Sequence, residues 1–393
     1  MSRNHGIEAL KSFDWDFGDY SRKHFPIDIN ALHWYPAAFV PQIPSILVNA
    51  LSCPGSTIMD PFAGSGVTLI EAARLDRQFI GADINPHAVD IICAKIQAIQ
   101  ETNDSWYLEE RLKIEHTSSI NNIQEYCESS GIDVSVTRWY EEKTLSELIS
   151  LHSYVSKNEQ EDCSLLRRIL FSSILNRACS QRDHYTYITD NCYPTQMVYK
   201  PAIQMFLEQL DLTAKAASEW RTQFDELYGR SSALGNVGVI KCCDSRSLDW
   251  ISSNEIDLVV TSPPYLGVND YVRSMRLTTL FYPENGIDAA IASEIGARRK
   301  RKRKEAFGEY IEDMKLSFSE IARILKPGSF LCLVLGKGQG RVNREDPINI
   351  LVDVLKNDHG FTLDCEIERK IKFRRIQVAG VGTEKILVLS QKE

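Results

Sequence analysis

The stretch TIMDPFAGSGVTLIEAARL, Thr57 to Leu75, followed by QFIGADINPHAVDIICAKIQAI, Gln78 to Ile99, constrains this chain more than any other feature. Each half opens with a short apolar run of strand length and continues with apolar residues at helical spacing. A β-α-β-α rhythm with short connections requires a parallel sheet with right-handed crossovers. The rhythm then stops. LSELISLHSYV, SLLRRILFSSILNRA and PAIQMFLEQLDLTAKAASEW carry apolar residues at i, i+3 and i+4, so residues 101–235 read as a mainly helical insertion. Strands resume with VGVIKCCD and IDLVVTSPPY. The helix YIEDMKLSFSEIARILKPG, the strand SFLCLVLG, the helix PINILVDVLKNDHG and a closing antiparallel pair, FTLDCEIERKIKF and KILVLSQ, complete the pattern. The expected organisation is one α/β unit, residues 1–100 and 236–393, interrupted by the insertion.

The loop DPFAGSG joins the first strand to its helix. Gly64 and Gly66 let backbone N–H groups approach a ligand, and the helix start favours an anion. The loop lacks the Gly-Lys-Ser/Thr ending of a triphosphate loop and is not GxGxxG. Asp60, Asp83 and Asp244 stand at three successive predicted strand ends, and an acid at the tip of the second strand suits a ribose diol. Asp244 is placed to accept from an adenine amino group or to cap a helix. These features imply a ligand with an anionic end, a ribose and a base but no phosphates, a description that S-adenosylmethionine meets. The bland alternative is that the glycines allow tight packing and that Asp83 is an N-cap.

The strand IDLVV ends abruptly on Thr261, Ser262, Pro263, Pro264 and Tyr265. Two prolines fix φ, remove two N–H donors and stiffen the chain into a ledge with a hydroxyl and an aromatic face beside it. Together, DPFAGSGVTLIEA and TSPPY resemble the cofactor and catalytic loops of the DNA amino-methyltransferases, which modify N4 of cytosine or N6 of adenine. HWYPAAFVPQIPSILV, from His33, resembles their N-terminal cofactor motif. The resemblance covers roughly 33–100 and 237–390 and implies a Rossmann-like S-adenosylmethionine-dependent methyltransferase fold. It assigns cofactor contacts to His33, Pro36, Asp60, Pro61, Phe62, Ala63, Gly64, Ser65, Gly66, Asp83, Ile84 and Asp244. Catalysis falls to Ser262, Pro263, Pro264 and Tyr265: the Ser262 hydroxyl and the Pro263 carbonyl would accept from the target amine, Tyr265 would stack on a flipped base, and Pro264 would serve as scaffold. Serine at the first position of the ledge is usual for the N4-cytosine type, and Asp or Asn for the N6-adenine type. C5 methylation is disfavoured: it needs a cysteine nucleophile, typically in a Pro-Cys setting, whereas SCPG and NCYP put proline after the cysteine or beyond it, and neither sits on a strand end next to the cofactor.

The formal net charge is −8, so contact with nucleic acid must come from a local surface. Arg298 to Lys304 is an unbroken basic run, and Arg298, Arg299, Arg301 and Arg303 are candidate phosphate contacts. The insertion is the candidate target-recognition region, with Arg182 and His184 in RDHYTYITDNCYP reaching bases or lining the pocket; an aromatic mini-core fits that segment as well. No second ligand at metal spacing accompanies His184, so no metal is expected. The ten cysteines form no CxxC, and the start has no apolar signal segment. A reduced, cytoplasmic, nucleoid-associated protein is expected, off the membrane, monomeric or homodimeric, with double-stranded DNA as partner and a cognate restriction endonuclease as a second candidate partner. RNA base methylation and a non-catalytic DNA-binding subunit are the other readings.

Overall fold

The structure is a computed structural model that describes residues 3–15, 17, 28–38, 40–100, 102–117, 120, 122–181, 188–229, 238–283, 287–336, 347–370 and 382–392. Seven strands form one sheet: β1 Thr57–Asp60, β2 Gln78–Asp83, β3 Val239–Cys242, β4 Ile256–Thr261, β5 Leu325–Gly336, β6 Thr362–Lys370 and β7 Thr383–Ser390. Their order is β3-β2-β1-β4-β5-β7-β6. The pairs from β3 through β5 are parallel, and β7 runs antiparallel to both β5 and β6. This is the Rossmann-like sheet expected from the β-α rhythm, with the antiparallel closing pair in place.

Successive strand residues feed two different cores. Ile58, Leu258, Val260, Cys332 and Val334 pack on one face, and Met59, Val259, Leu331 and Leu333 on the other. Burial on both faces explains why these strands read as continuous apolar runs. Helices α1 Arg3–Ser12, α2 Gln42–Leu51, α3 Val67–Arg74 and α4 Pro86–Gln100 supply the first core. The later helices Ala306–Ile324 and Pro347–Asn357 supply the second. The sequence pattern ran the first of these through Leu325–Gly328, but Leu325 already pairs with Ile256 in β5. A register shift follows in that ladder, with Gly328 at φ 78°, so the Lys-Pro-Gly segment is an irregularity inside a strand.

Between α4 and β3 the described residues form helices α5 Asp104–Glu115, α6 Ile123–Ser130, α7 Glu142–Lys157, α8 Ser164–Ala178 and α9 Ala202–Tyr228. They share the first core, where Leu166, Leu170, Ile174, Phe206 and Trp220 join Ile91 and Ile99 of α4. A buried ion pair, Arg167 with Glu110 at 2.8 Å, ties α8 to α5 inside it, and Tyr154 Oη donates to the same carboxylate. Among the described residues no helix is long and apolar enough to cross a membrane. The described cysteines are all free thiols.

Candidate active site

The carboxyl ends of β1, β2 and β4, and the turn after β3, surround one cavity with an empty volume of ≈ 870 Å³, its open mouth included. It lies where the strand order turns back at β1 and β4, the usual place for a ligand in such a sheet. Its walls include Pro36, Pro61–Ser65, Asp83–Asn85, Asp244, Ser262, Pro264 and Tyr265. Motifs 200 residues apart in the chain therefore meet in one pocket.

The glycine loop is braced from several sides. Gly64 and Gly66 have φ of 53° and 79°, in the left-handed region that favours glycine. A Cβ on Gly66 would lie 2.7 Å from Ile92 Cγ1, and one on Gly64 3.1 Å from the Tyr35 ring. The glycines thus permit close packing as well as the turn. Asp83 Oδ2 accepts the Gly64 N–H at 2.7 Å, and its Oδ1 accepts the Asn85 N–H at 2.8 Å. Burial raises the Asp83 pKa to about 6 despite these two bonds. Behind the loop, fully buried Lys95 donates to the Ser65 carbonyl at 2.5 Å and to Asn30 Oδ1 at 3.2 Å, and Asn30 in turn donates to Glu71. Burial lowers the Lys95 pKa to about 7 and raises that of Glu71 to about 7.

Asp60 and Gly66 are not part of the cavity wall. Asp60 is buried and joins the two motifs: its Oδ1 accepts from Thr261 Oγ1 at 2.6 Å and from the Phe62 N–H at 3.0 Å. Burial raises its pKa to about 6. His33 also lies off the cavity. Its ring nitrogens face Ser172 Oγ at 2.9 Å and the Trp34 carbonyl at 2.6 Å, and burial lowers its pKa to about 4. Ser172 belongs to α8 and also meets Thr278 Oγ1 at 2.7 Å, so the insertion buttresses the N-terminal motif. Asp244 lines the cavity while its carboxylate is held by Arg246 Nε at 2.9 Å.

On the ledge, Ser262 Oγ donates to the Val334 carbonyl at 3.1 Å and lies 3.2 Å from Tyr265 Oη. A hydroxyl whose proton is taken by a carbonyl keeps its lone pairs for other donors. Tyr265 Oη also reaches the Val334 carbonyl, at 3.3 Å. Its ring is backed by Gly336, where a Cβ would sit 2.6 Å from Tyr265 Cε2. Tyr310 Oη donates to the Pro264 carbonyl at 3.2 Å. Pro263 is buried behind the ledge, off the cavity wall.

Several wall residues were not among the candidate contacts, although Tyr35 lies within the HWYP stretch. Tyr35 and Tyr271 stack at 6.4 Å between centroids. Glu294 and Ser245 also line it. Glu294 is buried, accepts the Tyr271 N–H and pairs with Arg299 at 2.9 Å. Burial beside Asp270 raises its pKa to about 7. Among the described wall residues there are three carboxylates, Asp83, Asp244 and Glu294, and no Lys, Arg or His.

The basic run is divided in its commitments. Arg299 is turned inward to Glu294 and Asp270, Arg298 pairs with Asp190 at 3.1 Å, and Arg303 pairs with Glu309 at 2.5 Å. Lys302 and Lys304 are exposed, and Arg301 is half-buried. Arg182 and His184 lie outside the described residues. Among those described, no cluster of His, Cys, Asp and Glu could hold a metal.

The model of a DNA methylase family that acts on N6 and N4 amines matches residues 6–94. The type II methyltransferase M.MjaII of Methanocaldococcus jannaschii is 21% identical, in an alignment spanning 97% of this chain and 84% of that protein. The type II methyltransferase M.MvaI of Kocuria varians is 19% identical over 90% of this chain and 86% of its own. Among solved structures, the rRNA methyltransferase aviRa from Streptomyces viridochromogenes aligns with a TM-score of 0.37 at 13% identity, covering 92% of this chain and 89% of that one. A cofactor-type loop and a proline ledge open onto one cavity, and in sequence the chain is similar to type II DNA methyltransferases, with a DNA methylase family model matching its N-terminal quarter.

Proposed function

We propose that this protein is a DNA methyltransferase of the restriction–modification type that methylates the N4 amine of a cytosine swung out of duplex DNA, with S-adenosylmethionine as cofactor. The observation that carries the reading is the shared cavity: Gly64, Asp83 and Asp244 face the same space as Ser262 and Tyr265. The wall residues fit the cofactor. Asp83 and Asp244 stand at strand ends for a ribose and a base, and a wall with three carboxylates and no described cation suits a ligand of net positive charge and disfavours phosphates. When bound, the cofactor supplies an electrophilic methyl group on its sulfonium.

The chain's own residues prepare the acceptor. An exocyclic amine is a poor nucleophile because its lone pair is delocalised into the ring. Ser262 Oγ, its own proton given to Val334, accepts from the amine and localises that pair. The Pro263 carbonyl, expected as a second acceptor, belongs to a residue that is buried and off the cavity wall, so Ser262 is the acceptor this reading relies on. Tyr265, pinned at its hydroxyl and backed by Gly336, offers the stacking surface. The type II relatives support a modification role, and the serine favours cytosine over adenine.

The test is incubation of the purified protein with labelled S-adenosylmethionine and either duplex DNA or RNA, then digestion and mass analysis of nucleosides. N4-methylcytosine in DNA is the expected product. N6-methyladenine would replace the base assignment, and label in RNA alone or in neither polymer would overturn the function. A second expectation concerns the basic run. Replacing Arg301, Lys302 and Lys304 together by Ala should weaken DNA binding across all sequences and reduce the slope of log affinity against log salt by about 3, near 0.9 per lost phosphate contact. Fluorescence anisotropy with two unrelated duplexes measures it; a loss confined to one sequence contradicts phosphate contact.

A further inference from the structure

We infer that Asp60 and Thr261 are positioning residues that set the acceptor ledge against the cofactor loop. The inference rests on the reading of the cavity as a methyl-transfer site. In that reading an amine held by Ser262 and a cofactor held by the glycine loop must meet at bond-forming distance, and a misplacement of about 1 Å costs on the order of 100-fold in rate. The two halves of the site come from different strands, β1 and β4, so one strand end must be fixed against the other.

The backbone ladder pairs Ile58 with Leu258 and Met59 with Val259. Beyond those pairs the junction is carried by side chains: Thr261 Oγ1 donates to Asp60 Oδ1 at 2.6 Å. The same oxygen accepts the Phe62 N–H at 3.0 Å. A single carboxylate oxygen therefore holds both the start of the cofactor loop and the end of β4. Asp60 is 1% exposed and Thr261 0%, so the bond is shielded from water. Neither lines the cavity, but the residues beside them do: Pro61 and Phe62 follow Asp60, and Ser262 follows Thr261. On its other side the ledge is tied to β5, where Thr261 pairs with Leu333 and Ser262 Oγ donates to the Val334 carbonyl. Without the Asp60 bond the ledge keeps its reference to β5 and loses its reference to the loop. Burial makes this carboxylate costly to ionise, raising its pKa to about 6, so fold stability alone does not explain an aspartate at the junction.

Single-turnover transfer from labelled S-adenosylmethionine to duplex DNA from a methylation-free host reads the chemical step at pH 8, where Asp60 is ionised. Calorimetry on the same full-length protein reads cofactor affinity and the number of intact sites. Thr261→Val keeps the shape of the side chain and removes the donor. It is expected to slow transfer about 30-fold while cofactor affinity stays within about twofold. Thr261→Ser restores a hydroxyl and is expected to return the rate to within about threefold of wild type. A merely structural role would lower the melting temperature or the number of intact sites and leave the rate per site alone. A valine variant within about threefold of the wild-type rate, a serine variant as slow as the valine one, or cofactor affinity that falls in step with the rate would overturn the assignment. Should the valine variant not fold, Thr261→Ala carries the same expectations. A serine variant that folds while both hydroxyl-free variants do not would make the bond structural. A wild-type protein that binds the cofactor but labels no DNA overturns the proposed function itself, and the positioning role with it.

Discussion

Ser262→Ala is expected to lower kcat for methyl transfer by about 100-fold, the scale on which removal of one preorganised hydrogen-bonding group acts. Cofactor affinity should stay within about twofold. The hydroxyl sits at the end of β4, where Asp60 holds the adjacent Thr261 by a 2.6 Å bond, so the serine is fixed by its neighbours in the strand. Its donation to the Val334 carbonyl orients the oxygen for accepting. Alanine removes that acceptor and leaves the rest of the ledge in place. Tyr265 Oη keeps its bond to the same carbonyl, so the ring stays anchored. Single-turnover kinetics at saturating cofactor measure the chemical step, and calorimetry measures binding. A kcat within threefold of wild type would remove Ser262 from the mechanism. A matching loss of cofactor affinity would assign it to the binding half of the pocket.

The two motifs and the sheet were legible because each is local. A glycine turn between a strand and a helix, or a strand ending on two prolines, announces itself within a dozen residues. What escaped notice depends on contacts between distant segments. Glu294 reads as an unremarkable acid ahead of a basic run, and only its seat on the Tyr271 amide brings it to the cavity wall. Lys95 and Glu71 carry no local signal, yet both are buried behind the cofactor loop, where Asn30 of the distant N-terminal segment joins them. His33 illustrates the converse. It sits within a stretch resembling a cofactor motif, but its ring is satisfied by Ser172 of the insertion, 139 residues away, and it is Pro36 that reaches the cavity. In the basic run, charge alone does not separate Arg299, spent on buried carboxylates, from Lys302 and Lys304 at the surface.

Asp83→Asn is expected to weaken S-adenosylmethionine binding by about 100-fold while changing the melting temperature little. The carboxylate accepts two backbone amides, one on each oxygen, and the shorter bond goes to Gly64 in the loop. An asparagine has one acceptor oxygen and one NH₂ group, so one of those two amides must face a donor. Charge-assisted bonds of this kind contribute about 1.5–3 kcal/mol each, and 2.7 kcal/mol corresponds to the predicted loss. Stability should not follow affinity, because the native carboxylate is itself held at a cost. Burial raises its pKa from 3.8 to about 6, which corresponds to roughly 3 kcal/mol against the ionised form. Since the folded value lies above the unfolded one, that penalty is absent below about pH 3.8 and complete above about pH 6. The neutral amide removes that penalty, a value already net of the two amide bonds, so stability at pH 7.5 should not fall with affinity. Calorimetry for binding and a thermal melt at pH 7.5 separate the quantities. A variant that keeps its affinity would show that the cofactor loop needs no anchor at β2, and one that unfolds would make Asp83 a structural residue first.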